Sequence, residues 1–336
     1  MISTTGPINH RRFRRRSALA LLPLFLGFGA SPQMQQAPQS PSTLPRSGGE
    51  SPIAVRSDLV VLPVKVMDSD GVFVSGLDRD NFQVFENGRE QKISVFEKED
   101  APVTVGLIVD HSQSMGPKLA QVAAAVTAFA KSSNPQDEMF VIDFNDNVMV
   151  ELLHGQPFSS DPYLLAQAVQ AVSARGRTAL YDAVAEGIYH FRYGHWDKKA
   201  LIVVSDGKDN ASHIKLSQVE AEAQQAQVQI YSVGLVGDDE ELENPDVLKQ
   251  LSKKTGGMSF FPDPEHVGEI TTEIAKDLRE QYTLGYVPEN ATIDRSFRKI
   301  EVRVTAPGRG KLRVRTKPGY FASGSENAPA PEKDPS

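Results

Sequence analysis

The stretch TVGLIVDHSQSMGPKL, residues 104–119, decides the fold. Its first half is almost entirely apolar and β-branched, as expected for a strand buried on both faces of a parallel sheet. The strand ends at Asp110, and Ser112 and Ser114 follow at alternate positions before the start of a helix-like segment. Ligands of open parallel sheets bind beyond the carboxyl ends of the strands. The stretch therefore predicts an α/β sheet with an oxygen-rich site at its edge.

The surrounding chain supports the same sheet and adds a second architecture. Residues 101–281 alternate apolar strands with helices, which predicts a doubly wound, mostly parallel, Rossmann-like sheet covered on both faces. Residues 55–100 and 282–322 are strand-like throughout. Neither flank alone offers enough strands for a stable core. We expect the two flanks to pair into one β-sandwich around the α/β domain, with two separate small β units as the alternative.

The N-terminal segment has the composition of an export signal. The basic run RRFRRR at 11–16 precedes a short apolar stretch that ends in small residues, which predicts a signal peptide over residues 1–30. An uncleaved membrane anchor is the alternative. Residues 31–54 are rich in Pro, Gln and Ser and predict a disordered linker, and 323–336 predicts a disordered tail. We expect an exported bacterial protein that is periplasmic, on the cell surface or secreted, with no membrane span once the signal is removed.

Composition and missing motifs exclude several function classes. The chain has no cysteine, so it has no disulfide scaffold and no cysteine nucleophile. Its net charge of −7 argues against general binding to nucleic acid. The sequence has no P-loop, no G-x-S-x-G elbow and no His-based zinc motif. A phosphatase with an aspartate at this strand end needs a second carboxylate two residues later, where Ser112 stands. We therefore expect no enzyme.

Five oxygen-bearing side chains are expected at one edge of the sheet: Asp110, Ser112, Ser114, Thr178 and Asp206. Asp206 ends a second apolar strand, and Thr178 lies in a Gly-bearing loop that opens a helix. Carboxylates and hydroxyls suit a hard cation, above all Mg²⁺, with Mn²⁺ or Ca²⁺ as alternatives. Only two of the five side chains are negative, so such a site leaves a position for water or for an external carboxylate. Taken singly, each residue also fits a helix cap or a turn.

Three segments carry a resemblance to a known family. IVDHSQSMG, GRTALYDAV and LIVVSDGKDN, in that order, resemble the von Willebrand factor type A domain and its complete metal-ion-dependent adhesion site. The resemblance implies that Ser112, Ser114 and Thr178 contact the metal directly. It implies that Asp110 and Asp206 act directly or through water. The whole arrangement is similar to bacterial exported proteins described as von Willebrand factor A-related.

These observations predict a divalent-cation-dependent protein-binding or adhesion module that recognises an acidic side chain of a protein partner. We expect four further residues to form a partner-binding rim around the metal: His111, Gln113, Arg177 and Lys208. The alternative is a structural or assembly factor of the cell envelope in which the metal only stabilises the loops.

Overall fold

The computed structural model describes residues 59–98, 100–151, 155–235, 244–290, 292 and 294–322. All of these residues belong to one compact unit, Val55–Ser336. The predicted signal peptide, linker and C-terminal tail lie outside the described residues. None of the helices in the described ranges has both the length and the apolar character that crossing a membrane requires.

The described residues form strands at both ends and alternate strands with helices between them. The strands are β1 (Val60–Met67), β2 (Phe82–Glu86), β3 (Arg89–Gln91), β4 (Ile93–Glu97), β5 (Thr104–Asp110), β6 (Glu138–Phe144), β7 (Val148–Glu151), β8 (Lys199–Ser205), β9 (Gln229–Gly234), β10 (Ser259–Phe260), β11 (Tyr282–Tyr286), β12 (Phe297–Val304), β13 (Arg313–Arg315) and β14 (Gly319–Phe321). The α-helices are α1 (Leu119–Ser132), α2 (Pro162–Ala171), α3 (Leu180–His190), α4 (Leu216–Gln225), α5 (Pro245–Thr255) and α6 (Val267–Arg279).

The central sheet has the strand order β10-β9-β8-β5-β6-β7. Its strands are parallel except for β7, a half-buried antiparallel edge strand that the sequence analysis did not anticipate. Alternate residues of β5 enter opposite cores: Leu107 and Val109 pack with α1, α2 and α6, whereas Ile108 packs with α3, α4 and α5. Both faces of the sheet are therefore covered, and the predicted doubly wound α/β fold is confirmed.

The flanking strands form two four-stranded antiparallel sheets, β13-β1-β11-β4 and β14-β12-β2-β3. Each sheet combines strands that precede and strands that follow the central domain. Leu62 and Tyr282 of one sheet share a core with Val84 and Ile300 of the other. The predicted β-sandwich from both flanks is confirmed, whereas the predicted residue boundaries of the domains stay a prediction.

A buried carboxylate on α6 joins the sandwich to the α/β domain. Asp277 lies 2.7 Å from Lys65 Nζ of β1, accepts a hydrogen bond from Tyr231 of β9 at 2.6 Å, and pairs with Arg315 of β13. Burial alone would raise the pKa of Asp277, but Arg315 and Lys65 hold it below its usual range. The negative charge at this junction is therefore balanced by two cations of the protein.

Candidate functional site

The candidate site lies where the connections of the central sheet change direction. From β5 the chain runs through β6 to β7 at one edge, then returns to β8 on the other side of β5. This is a topological switch point, the usual ligand site of an open α/β sheet. Asp110 is the last residue of β5, and Asp206 follows β8 directly. Both predicted carboxylates therefore reach this point.

Four of the five predicted side chains form a connected hydrogen-bonded group, which we call the edge cluster: Asp110, Ser112, Ser114 and Asp206. The hydroxyls of Ser112 and Ser114 are 3.2 Å apart, and Ser114 Oγ donates to Asp206 Oδ2 at 2.7 Å. The backbone N–H of Ser112 donates to Asp110 Oδ1 at 2.8 Å. Asp110, Ser112 and Asp206 are buried, and Ser114 is exposed at the surface. Both serines lie at the start of a 3-10 helix, Gln113–Lys118, that leads into α1.

Among the described residues, no side-chain cation balances the charge of the edge cluster. Burial and, to a smaller extent, the charge of Asp206 raise the pKa of Asp110, hydrogen bonds from Ser112 and Ser205 lower it in part, and the resulting pKa is about 6. Across the described ranges, no Lys or Arg side chain forms a hydrogen bond or ion pair with the edge cluster. Two neighbouring carboxylates therefore have no cationic partner in the part of the chain that the structure describes.

Thr178 lies in a loop that the backbone ties to the edge cluster. The Thr178 N–H donates to Asn210 Oδ1 at 2.9 Å, and the Thr178 carbonyl accepts from Asn210 N at 3.0 Å. Asn210 belongs to the loop that begins with Asp206. On the other side, Gly176 O accepts from the Gln113 N–H at 3.4 Å. The structure thus brings four predicted ligands into hydrogen-bonding contact and holds the fifth beside them through main-chain bonds.

The turn before Thr178 depends on a glycine. Gly176 has a φ of +76°, in the left-handed region that favours glycine, and a Cβ there would lie 1.8 Å from Asp146 Oδ2. Asp146 in turn accepts hydrogen bonds from the backbone N–H of Arg177 at 3.1 Å and from its Nε at 2.9 Å. This close approach fixes the path of the loop, and it commits part of the Arg177 guanidinium to an ion pair.

The four predicted rim residues do not all lie on the surface. Gln113 and Arg177 are exposed, and Lys208 is half-buried and donates its backbone N–H to Asp206 Oδ1 at 3.1 Å. The prediction for His111 is wrong, because its side chain is 0% exposed. Successive side chains of an extended segment point to opposite sides. His111 therefore points inward, where its Nε2 lies 2.8 Å from Val169 O.

The oxygen atoms of the edge cluster suit an octahedral cation. Adjacent ligands of Mg²⁺ at 2.0–2.1 Å are about 2.9 Å apart, and the two side-chain contacts of Ser114 measure 3.2 and 2.7 Å. No group of three or more His, Cys, Asp and Glu side chains within the described residues could hold a metal. A metal at this edge would therefore need the serine hydroxyls as well as the carboxylates.

Sequence reasoning missed two residues that support the site. Ser205 Oγ donates to Asp110 Oδ2 at 2.6 Å and accepts from the Gly207 N–H at 3.0 Å. Asn210 holds Thr178, as described above. Their signal was a cluster of polar residues at the end of an apolar strand, in the same SDGKDN segment that supplies Asp206.

Comparison with known proteins gives one family match and several similar solved structures. Residues 105–273 match the family model of the von Willebrand factor type A domain. Similar solved structures include an aerotolerance-related membrane protein from Bacteroides fragilis (16% identity, 52% of this chain and 98% of that one, TM-score 0.44). They also include a von Willebrand factor type A protein from Catenulispora acidiphila (14% identity, 81% and 76%, TM-score 0.46). A third is the vWF domain of the type V pili tip protein Mfa5 from Porphyromonas gingivalis (13% identity, 53% and 95%, TM-score 0.44). No curated protein sequence matches this chain. Because the family model covers half of its length, this chain belongs to the von Willebrand factor type A domain family.

Proposed function

We propose that this protein is a divalent-cation-dependent protein-binding module. In this proposal the edge cluster and Thr178 hold Mg²⁺, and an acidic side chain of a protein partner completes its coordination. One observation carries the proposal: two neighbouring carboxylates, joined by serine hydroxyls, have no Lys or Arg partner among the described residues. Uncompensated buried charge is costly unless something of opposite charge binds.

The residues of the site would have different roles in binding the cation. Ser112, Ser114 and Thr178 would supply neutral oxygen ligands. Both carboxyl oxygens of Asp110 already accept hydrogen bonds, from Ser112 N and Ser205 Oγ, so Asp110 is oriented and suited to act through water. Bound Mg²⁺ would supply a Lewis-acidic position that an external carboxylate can occupy. Bound Mg²⁺ would neutralise the charges of Asp110 and Asp206, so the occupied site would not repel a third carboxylate strongly.

The location of this activity rests on the sequence alone. We propose that the protein acts outside the cytoplasm, supported by the basic and apolar segments within residues 1–30. The alternative function, a structural or assembly factor, needs the cation only to hold three loops together. The loops that carry Ser112, Thr178 and Asp206 are already linked by backbone hydrogen bonds, so a cation adds less to their stability than to recognition.

Calorimetric titration of the full chain with MgCl₂, beside Asp110→Asn, tests the metal site. Binding of short peptides that contain Glu, with matched Gln peptides as controls, is then measured in Mg²⁺ and in EDTA. We expect one saturable Mg²⁺ site whose affinity falls roughly 100-fold or more in the variant, and capture of the Glu peptides only in Mg²⁺. A cation that binds and raises Tm without capture of any Glu peptide supports the structural alternative. Absence of Mg²⁺ binding with the Glu peptides present contradicts the metal site.

A further inference from the structure

Asp143 on β6 is a buried carboxyl group that the proposed site does not use. Its side chain is 0% exposed, and neither of its oxygens has a partner of hydrogen-bonding geometry within the described part of the chain. Its Oδ1 nevertheless lies 3.2 Å from Nδ1 of His111, whose side chain is also 0% exposed. A buried carboxyl group without a strong partner is costly, so this contact calls for an explanation.

The His111 ring is held on its other side by the end of α2. Its Nε2 lies 2.8 Å from Val169 O, a carbonyl that can only accept, so Nε2 carries a hydrogen and donates it. That leaves Nδ1 to face Asp143 and, at 3.3 Å, the carbonyl of Val109. The ring is therefore fixed by the Val169 carbonyl on one side and lies against the Asp143 carboxyl group, 3.2 Å away, on the other.

The backbone of His111 connects this pair to the site. His111 lies between Asp110 and Ser112, so its ring position constrains both of their backbones. Its N–H donates to Phe144 O at 2.7 Å, and its carbonyl accepts from Arg175 N at 2.9 Å. These bonds tie the serine loop to the end of β6 and to the loop that carries Thr178. A shift of the His111 backbone would disturb all three segments together.

We propose that Asp143 is a positioning residue for the cation site: it holds the His111 ring and thereby fixes the backbone between Asp110 and Ser112. The inference rests on the proposed function, because the property that Asp143 sets is the affinity of the edge cluster for Mg²⁺. Asp143 does not touch the cation. A role in packing alone would change the stability of the protein and leave the affinity unaltered.

The test compares Mg²⁺ affinity and thermal stability in variants of the full chain. Asp143→Leu removes the carboxyl group that lies against Nδ1, and we expect Mg²⁺ to bind about 10-fold more weakly, the lower end of the effect of outer-shell groups. Asp143→Asn can donate an N–H to Nδ1, so we expect an affinity within about 3-fold of wild type. Tyr320→Phe is the matched control, since it removes a buried hydrogen bond to Glu86 in the sandwich. It should lower Tm without changing the affinity.

A double variant separates positioning from stability. His111→Phe with Asp143→Leu replaces both polar groups by apolar ones, which is often neutral for folding. We expect this variant to fold even where Asp143→Leu does not, and still to bind Mg²⁺ about 10-fold more weakly. The inference is overturned if the double variant binds Mg²⁺ with wild-type affinity. It is also overturned if Asp143→Leu has a lowered Tm but wild-type affinity. Neither result contradicts the metal site itself. Absence of Mg²⁺ binding to the wild-type protein overturns the proposed function and this inference together.

Discussion

Two buried polar clusters in this protein differ in whether a cationic side chain pairs with their carboxylates. In the sandwich, Glu86 accepts hydrogen bonds from Tyr286 and Tyr320 at 2.8 Å each and pairs with Arg298 at 3.0 Å. Arg298 is itself only 1% exposed, and it also donates to the carbonyl of Thr292 at 2.8 Å. The charge of this sandwich cluster is balanced by the protein.

The edge cluster of the α/β domain contains more negative charge and no such cation. Asp110 and Asp206 share a region in which the described hydrogen bonds come from hydroxyls and backbone N–H groups. Burial raises the pKa of Asp110 to about 6, in the direction opposite to the shift of Asp277, whose cations lower its pKa. A buried carboxylate paired with its own cation is compensated within the fold, whereas two neighbouring carboxylates without a cation are candidates for a ligand site.

The largest expected effect on Mg²⁺ affinity separates binding from stability at the edge cluster. Asp110→Asn keeps an oxygen for Ser112 N and can donate to Ser205 Oγ, so the fold should survive. We expect Mg²⁺ affinity to fall roughly 100-fold or more, since loss of outer-shell groups alone costs about 10–100-fold. Calorimetric titration measures the affinity, and thermal unfolding in EDTA checks that Tm is unchanged or higher. A large fall of Tm in EDTA would show that Asp110, like Glu86, contributes to the stability of the fold without a metal.

The reverse result is expected in the sandwich cluster. Arg298→Met leaves Glu86 buried without its cation, which should lower the free energy of unfolding by about 3–5 kcal/mol. Urea denaturation measures that loss. Mg²⁺ affinity, measured at a temperature where the variant is folded, should match wild type. A change in affinity would show that the two clusters are energetically coupled. It would contradict the view that one cluster serves stability and the other binding.

A glycine pair tests whether the loop path matters for the edge cluster. Gly176→Ala places a Cβ against Asp146 and forces a φ of +76° on alanine, so we expect a loss of about 1–2 kcal/mol and several-fold weaker Mg²⁺ binding. Gly308→Ala is the control, because Gly308 has a φ of +79° but open space around its Cβ position. It should cost about 1 kcal/mol and leave the affinity unchanged. Equal affinities in the two variants would show that the Thr178 loop does not shape the site.

The fold could be predicted because several of its strands and turns have clear local sequence patterns. The apolar run that ends at Asp110 predicts a strand buried on both faces, and both of its faces are covered by helices. Asn87-Gly88 predicts a tight hairpin turn, and both residues have positive φ, at 48° and 81°. The short edge strand Val148–Glu151 was not predicted, since it is half-buried on both faces and carries no clean alternation.

The site was harder to predict than the fold. Residue type and strand ends were enough to place Asp110 and Asp206, because parallel strands deliver their carboxyl ends to one edge. The direction of His111 was not recovered, since its burial depends on Val169 and Asp143, residues distant in sequence. A local motif predicts which residues lie near the carboxyl ends of the strands. Which of their side chains face the solvent depends on the residues packed around them.

A buried lysine that has no carboxylate partner among the described residues is the counterpart of the edge cluster with the opposite charge. Burial lowers the pKa of Lys317 to about 7, and its Nζ donates to Gln227 Oε1 at 2.9 Å. The unfolded chain keeps this proton up to about pH 10, so it binds more protons than the folded chain between pH 7 and 10. The contribution of Lys317 to stability therefore rises with pH in this window.

Lys317→Met removes that dependence, and we expect it to raise Tm most near pH 6 and progressively less toward pH 9. Thermal unfolding across this range, with exposed Lys299→Met as the control, measures the difference. Parallel Tm curves for wild type and Lys317→Met would show that Lys317 stays charged in the fold.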